Sequence, residues 1–164
     1  MEAYRRYGPA LLRKAKRMLQ NTTDAEDVVQ GLFVDLLQGG GASGPDSAQL
    51  ELGYLYRAVT HRCLNLLRDA RNRRRLLDQR EVPAAPARTT CEQRVIDLDL
   101  LLKLCAQLDA LSSEILVYRF IDDMTQDEIA ELTGYSRKTV GKRLDDARDA
   151  VLRLVEADGG EAWS

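Results

Sequence analysis

Arg137, Lys138, Thr139, Lys142 and Arg143 stand within seven residues, with no carboxylate among them. Side chains of these types, a turn apart on a helix, suit phosphate oxygens and the edges of bases. Ser136 can cap such a helix, and Val140, Leu144, Ala147, Val151 and Leu154 recur at helical spacing to form its inner side. Upstream, Thr125 and Glu128 form a capping box that starts another helix, with Ile129, Ala130 and Leu132 on its buried side. Gly134 supplies the left-handed turn that ends it. Ala130, Gly134 and Val140 are the small, turning and apolar positions that let two helices cross closely, so the second can enter a major groove. Asp145, Asp146 and Asp149 follow on the same helix, which confines any phosphate contact to its first turns. Short helical hairpins with a glycine turn also exist without a nucleic-acid role. The coincidence of two caps and a basic front end favours DNA.

A second constellation lies upstream. Arg57, His61, Asn65 and Arg68 are spaced by four, four and three residues and line one helical face, with Tyr54 a turn earlier. The same stretch ends in Arg71, Arg73, Arg74 and Arg75. Arginines tracking a backbone, with an aromatic or an amide for an exposed base, suit single-stranded or melted DNA. An ordinary solvated face, closed by arginines that suit the helix dipole, reads equally well from these residues.

Charge is segregated along the chain. The formal net charge is −2 and the isoelectric point lies near 5.5, which disfavours a protein that binds DNA unaided. Residues 24–35 carry Asp24, Glu26, Asp27 and Asp35 and no cation, whereas residues 57–80 carry eight arginines against Asp69 and Asp78. Such asymmetry points to two partners, one basic and one a polyanion.

Other chemistry finds little support. Cys63, Cys91 and Cys105 are widely spaced and His61 is the lone histidine, so neither a zinc site nor a disulfide is expected. Cys63 falls on the apolar stripe Leu55, Val59, Cys63, Leu66 and Leu67 and reads as a core thiol, as does Cys105; Cys91 sits in a linker. There is no nucleophile–base constellation and no phosphate loop, since the glycines at 39–41 follow a helix and lack a Lys-Ser/Thr ending. The expectation is a protein that is not an enzyme and needs no cofactor or metal. No apolar stretch approaches the roughly 20 residues that span a bilayer, and the first residues lack a signal peptide's apolar run. The chain is expected to stay in the cytoplasm without membrane insertion.

The elements that must position these residues are all helical. Leu and Ala dominate the 164 residues and β-branched runs are missing. Helices are expected over Tyr4–Gln20, with Leu11, Leu12, Ala15, Met18 and Leu19 inward, and from Thr23, in a capping box with Glu26, to Gln38. Val29, Leu32, Phe33, Leu36 and Leu37 form the buried face of the latter. After the loop at 39–47, a long helix runs from Gln49 to Leu77. The Pro/Ala stretch Glu81–Thr90 reads as an interdomain linker, followed by helices over Val95–Leu108 and from a Ser112 cap to Phe120. The fold class is all-α, with two small helical domains joined by a flexible linker.

These parts, in order, resemble an extracytoplasmic-function (group IV) sigma factor of bacterial RNA polymerase. Tyr4–Gln20 is similar to the family's opening helix, YxxYxxxLxxxAxRxL. Asp24-Ala25-Glu26-Asp27-Val28-Val29-Gln30 with Phe33 matches its DAEDxxQxxF motif. Tyr54 to Val59, with Asn65 and Arg68, resembles its WLxxIAxNxxxDxxR helix. Thr139-Val140, Arg143-Leu144 and Ala147-Arg148 resemble its closing TVxxRLxxAR. The resemblance implies a region 2 helical bundle over 1–80, a linker over 81–94 and a region 4 helix-turn-helix domain over 95–158. It implies that Asp24, Glu26, Asp27 and Gln30 contact the β′ clamp helices of core polymerase, with the β flap as a further contact. Loop 39–47 and the face with Tyr54, Arg57, His61, Asn65 and Arg68 would hold the melted −10 element of promoter DNA. Arg137, Lys138, Thr139, Lys142 and Arg143 would read the −35 element. It also implies an anti-sigma factor that covers these surfaces, free in the cytoplasm or at the membrane. Tyr54 stands where the family usually has Trp, Gly31 where an acidic residue is common, and Asn65 where Asp is common. Two alternatives are a stand-alone helix-turn-helix regulator and a sigma-like decoy that titrates an anti-sigma protein.

Overall fold

The computed structural model describes residues 2–38, 52–78, 101, 104–105 and 108–159, and all regular structure among them is helical. The helices are α1 (Glu2–Leu19), α2 (Thr22–Leu37), α3 (Leu52–Asp78), α4 (Ala110–Phe120), α5 (Gln126–Thr133) and α6 (Arg137–Gly159). This is the expected all-α class. The loop at 39–47, the Pro/Ala linker with Cys91, and most of the helix expected over Val95–Leu108 lie outside the described residues. The chain forms two compact units, Met1–Leu67 and Arg68–Ser164.

In the first unit, α1 and α2 form a helical hairpin. Gln20 takes a left-handed φ of 52° and its N–H donates to Lys16 O at 2.9 Å, which closes α1 and turns the chain. Asn21 then caps α2, its Oδ1 accepting from Thr23 N at 2.9 Å and Asp24 N at 3.3 Å. The sequence pattern places this cap at Thr23 with Glu26. Asn21 takes that place because its short amide reaches two orphan N–H groups at once. Leu11, Ala15, Met18, Ala25, Val28, Val29, Leu32 and Phe33 pack between the two helices and α3, which contributes Leu55, Val59, Cys63 and Leu64. Leu37, on the expected buried face, is 73% exposed, whereas Val28, outside that expected set, is buried.

One core member is a cation. Lys14 is fully buried, and its Nζ lies 4.2 Å from the centroid of the Tyr56 ring. A desolvated ammonium over an aromatic face recovers part of its lost hydration. The thiol of Cys63 is pushed up to about 12 by burial, with Lys14 pulling the other way.

The second unit is built on α4, which is buried from Ser112 through Tyr118. Tyr118 Oη donates to Glu114 Oε1 at 2.7 Å inside this core. Leu101, Leu104 and Cys105, all helical and buried, pack with it. Ser113 Oγ donates to Cys105 O at 3.0 Å and accepts from Arg68 Nη2 at 3.1 Å. Burial pushes the Cys105 thiol up to about 11, against lowering by Ser113 and Arg68. Both described cysteines are therefore packing residues, in keeping with their place on apolar stripes. The α4 cap is Asp109, not Ser112: Asp109 Oδ1 accepts from Ser112 N at 2.9 Å, and Ser112 lies buried inside the helix.

Candidate nucleic-acid interface

The helix-turn-helix forms from the residues that specify it. Thr125 Oγ1 accepts from Glu128 N at 3.3 Å, while Glu128 Oε2 accepts from Thr125 N at 2.7 Å and from Thr125 Oγ1 at 2.8 Å. These bonds, the Thr125 backbone N–H first, hold the Glu128 carboxyl below its usual range. Gly134 adopts a φ of 76° and its N–H returns to Ala130 O at 2.9 Å. A Cβ there would meet nothing within 4 Å, so the glycine is required for its backbone sign and not for space. Ser136 Oγ accepts from Thr139 N at 3.1 Å and starts α6. Ile129 and Val140 are fully buried where α5 packs on α6.

The five basic or polar residues at the front of α6 do not share one environment. Lys138 and Lys142 are exposed and face solvent. Arg137 is also exposed, with its Nε 3.5 Å from Asp127 Oδ1 at the start of α5. Thr139 is half-buried, its hydroxyl 2.9 Å from Ser136 Oγ. Arg143 is half-buried too: its Nη1 donates to Asp109 Oδ2 at 2.7 Å and to Ser112 Oγ at 3.3 Å. Farther along, Asp145, Asp146 and Asp149 are exposed. Tyr135, which the sequence pattern did not single out, is 45% exposed in the turn between the two helices.

In the first unit the acidic residues lie on α2. Glu26, Asp27 and Gln30 are exposed, and Asp24 is half-buried in the first turn, where the helix dipole favours a carboxylate. Lys16 Nζ approaches Glu26 Oε1 at 3.9 Å, an exposed pair that contributes little. Glu26 and Gln30 also border a hollow of about 260 Å³, completed by Tyr4, Arg5, Gly8, Pro9, Leu12 and Val29. On the same helix Asp35 pairs with Arg62 of α3. A Cβ built on Gly31 would stand 3.4 Å from Arg62 Nη1, so the guanidinium lies across the α2 backbone where a side chain would otherwise project.

The face with Tyr54, Arg57, His61 and Asn65 runs along α3, away from Leu55, Val59 and Cys63. Tyr54 is 51% exposed and Asn65 is exposed, while Arg57 and His61 are half-buried. Arg57, His61 and Asn65 each already interact within the chain. Arg68 belongs to the second unit and is engaged by Ser113. Arg71, Arg73 and Arg74 continue α3.

Comparison with known proteins matches both halves to one family. The sigma-70 region 2 model matches residues 3–73, and the sigma-70 region 4 model matches residues 98–151. No curated protein sequence matches the chain. Among solved structures it is similar to the co-crystal structure of the sigma factor RpoE in complex with the anti-sigma factor NepR from Bartonella quintana, at 20% identity over 96% of each chain, with a TM-score of 0.48. Among the described residues no helix is long and apolar enough to cross a membrane. With regions 2 and 4 in order and only residues 74–97 between them, the chain belongs to the sigma-70 family and is an extracytoplasmic-function-type sigma factor, which binds core RNA polymerase and directs it to promoters.

Proposed function

We propose that the two oppositely charged surfaces divide the sigma factor's work. Asp24, Glu26, Asp27 and Gln30 on α2 dock on the basic clamp helices of the polymerase β′ subunit. The α3 face with Tyr54, Arg57, His61 and Asn65 holds the melted −10 strand, with Arg68 at its end. Lys138 and Lys142, flanked by Arg137 and Thr139, bring the front of α6 to the −35 duplex. The functional domains extend over 1–80 and 95–158, and the Pro/Ala linker lets them reach separate elements. The observation that carries this reading is the polarity of exposed charge in a chain of net charge −2: acidic on α2, basic on the first turns of α6.

Polymerase supplies the chemistry of nucleotide addition, and this chain supplies the address. An anti-sigma protein that covers the α2 and α6 surfaces would keep it silent, and its place of work is the cytoplasm. The deciding experiment is run-off transcription from genomic fragments with purified core polymerase and the full chain. Discrete start sites that vanish without the chain are expected. Core binding without any specific start would favour a decoy that titrates its inhibitor. Promoter binding that needs no polymerase would favour a stand-alone regulator.

A further inference from the structure

Arg143 carries the same charge as Lys138 and Lys142, yet the fold has already employed it. At 100° per residue, it lies about 60° around α6 from fully buried Val140 and about 100° from Lys142. It is thus on the core flank. Its Nη1 donates at 2.7 Å to Asp109 Oδ2 and at 3.3 Å to Ser112 Oγ. The acceptors are specialised in turn. Asp109 is the N-cap of α4: Oδ1 takes Ser112 N at 2.9 Å, and Oδ2 takes Ser112 Oγ at 3.0 Å. Its carboxyl is held below the usual range, by the Ser112 backbone N–H first and by Arg143 among the lesser causes. The cap, its hydroxyl partner and the arginine form one closed network.

We propose that Arg143 is a positioning residue and not a DNA contact: it ties α6 to the capped first turn of α4 and so sets the angle at which Lys138 and Lys142 meet a duplex. This rests on the reading of α6 as the −35 reader. Val140 and Ala147 hold α6 in place by apolar contact, which resists separation but is not directional. A charge-assisted bond near one end of the helix adds direction. An arginine with its charge spent on Asp109 adds little to the field seen by phosphates. Lys142, exposed one residue earlier, has no such restraint among the described contacts.

The two roles leave different marks on DNA binding. Neutralising a phosphate contact lowers the salt slope of affinity by about one, whereas a positioning residue leaves that slope alone. The experiment titrates holoenzyme, full chain with core polymerase, against the promoter fragment recovered by run-off transcription, over a series of KCl concentrations. Four chains are compared: wild type, Arg143→Ala, Asp109→Asn and the double variant. Asp109→Asn keeps a capping oxygen on α4 while removing the charge that engages Arg143. Each single variant is expected to weaken binding about 5- to 20-fold, with an unchanged salt slope and discrimination eroded at every −35 position together. The double variant should be no weaker than Arg143→Ala alone. Lys142→Ala serves as the contrast and should lower the slope by about one. A drop of about one in the slope for Arg143→Ala, with Asp109→Asn at wild-type affinity, would overturn the assignment and make Arg143 a phosphate contact. Should Arg143→Ala fail to fold, wild-type binding by Asp109→Asn alone is enough to overturn it. If the wild-type holoenzyme is indifferent to a scrambled −35 element, the reading of α6 fails and the assignment falls with it.

Discussion

Replacing Gly31 with alanine should stabilise α2, although the glycine sits beneath a guanidinium. Gly31 lies in mid-α2 with ordinary helical torsions, so its backbone needs no glycine. A glycine in a helix interior costs about 0.5–1 kcal/mol relative to alanine. Against this stands one contact: the new Cβ would lie 3.4 Å from Arg62 Nη1, the far end of a flexible side chain. Arg62 can shift by a few tenths of an ångström while keeping Asp35, and that exposed pair is itself worth only about 0–1 kcal/mol. The backbone gain therefore outweighs the contact. The assay is amide hydrogen exchange of α2 peptides in the full chain, where a gain of about 0.5–1 kcal/mol slows exchange through local opening by about 2- to 5-fold. Faster exchange in Gly31→Ala would refute the reasoning. It would mean that the guanidinium's close approach to the α2 backbone is itself a stabilising contact, and that the glycine is kept for it.

Asp27→Lys places a like charge before a basic partner. It should lower affinity for core polymerase by about 100-fold or more while helical circular dichroism stays the same, and wild-type affinity would remove α2 from the docking surface. Tyr118→Phe removes the 2.7 Å donor to buried Glu114. Denaturant titration should show a loss of about 1–3 kcal/mol, and an unchanged midpoint would mean that the carboxylate is satisfied without it. Acid should loosen the second unit. The folded carboxyls of Asp109 and Glu128 sit below their ordinary values of 3.8 and 4.5, so their contributions are complete above those values and fade as pH falls through the folded ones. Protection of the amides in the first turns of α4 and α5, relative to their intrinsic exchange rate at each pH, should therefore fall below about pH 4.5, and unchanged protection down to about pH 3 would contradict both caps.

What the sequence revealed and what it concealed divide by the range of the interaction. The capping box at Thr125 and Glu128 and the turn at Gly134 depend on residues within a few positions of one another, so the pattern specified them completely. Two caps lie earlier than the residues the pattern points to. Asn21 takes the place expected of Thr23, and Asp109 that of Ser112, because in each case the side-chain oxygen of the earlier residue accepts from the first free N–H groups. Long-range partners left no local trace. Lys14 occupies a position that periodicity assigns to the core and charge assigns to the surface, and the Tyr56 ring of another helix, over which its ammonium lies, leaves no trace in the local pattern. Arg143 looked like a fifth surface donor because Asp109, 34 residues away, is invisible to any helical pattern.

The charge on α6 also bears on how a helix proposed to read DNA can sit in an acidic protein. Lys138 and Lys142 project from its first turns, while Asp145, Asp146 and Asp149 are exposed on the next two. At 1.5 Å per residue, Asp145 and Asp146 lie only about 4.5–6 Å along the axis from Lys142, and Asp149 about 10 Å. The Debye length near physiological salt is about 8 Å, so at least the first two carboxylates oppose the lysines at any phosphate they approach. With Arg143 held by Asp109, the unspent positive charge at the front of α6 is small. Counter-ion release, which supplies most sequence-independent affinity, is correspondingly weak. On the proposed reading, such a helix would gain little from random DNA and would depend on base-edge contacts made at a fixed angle. That arrangement suits a subunit whose polymerase provides the grip, and it makes the geometry of α6 matter more than its net charge.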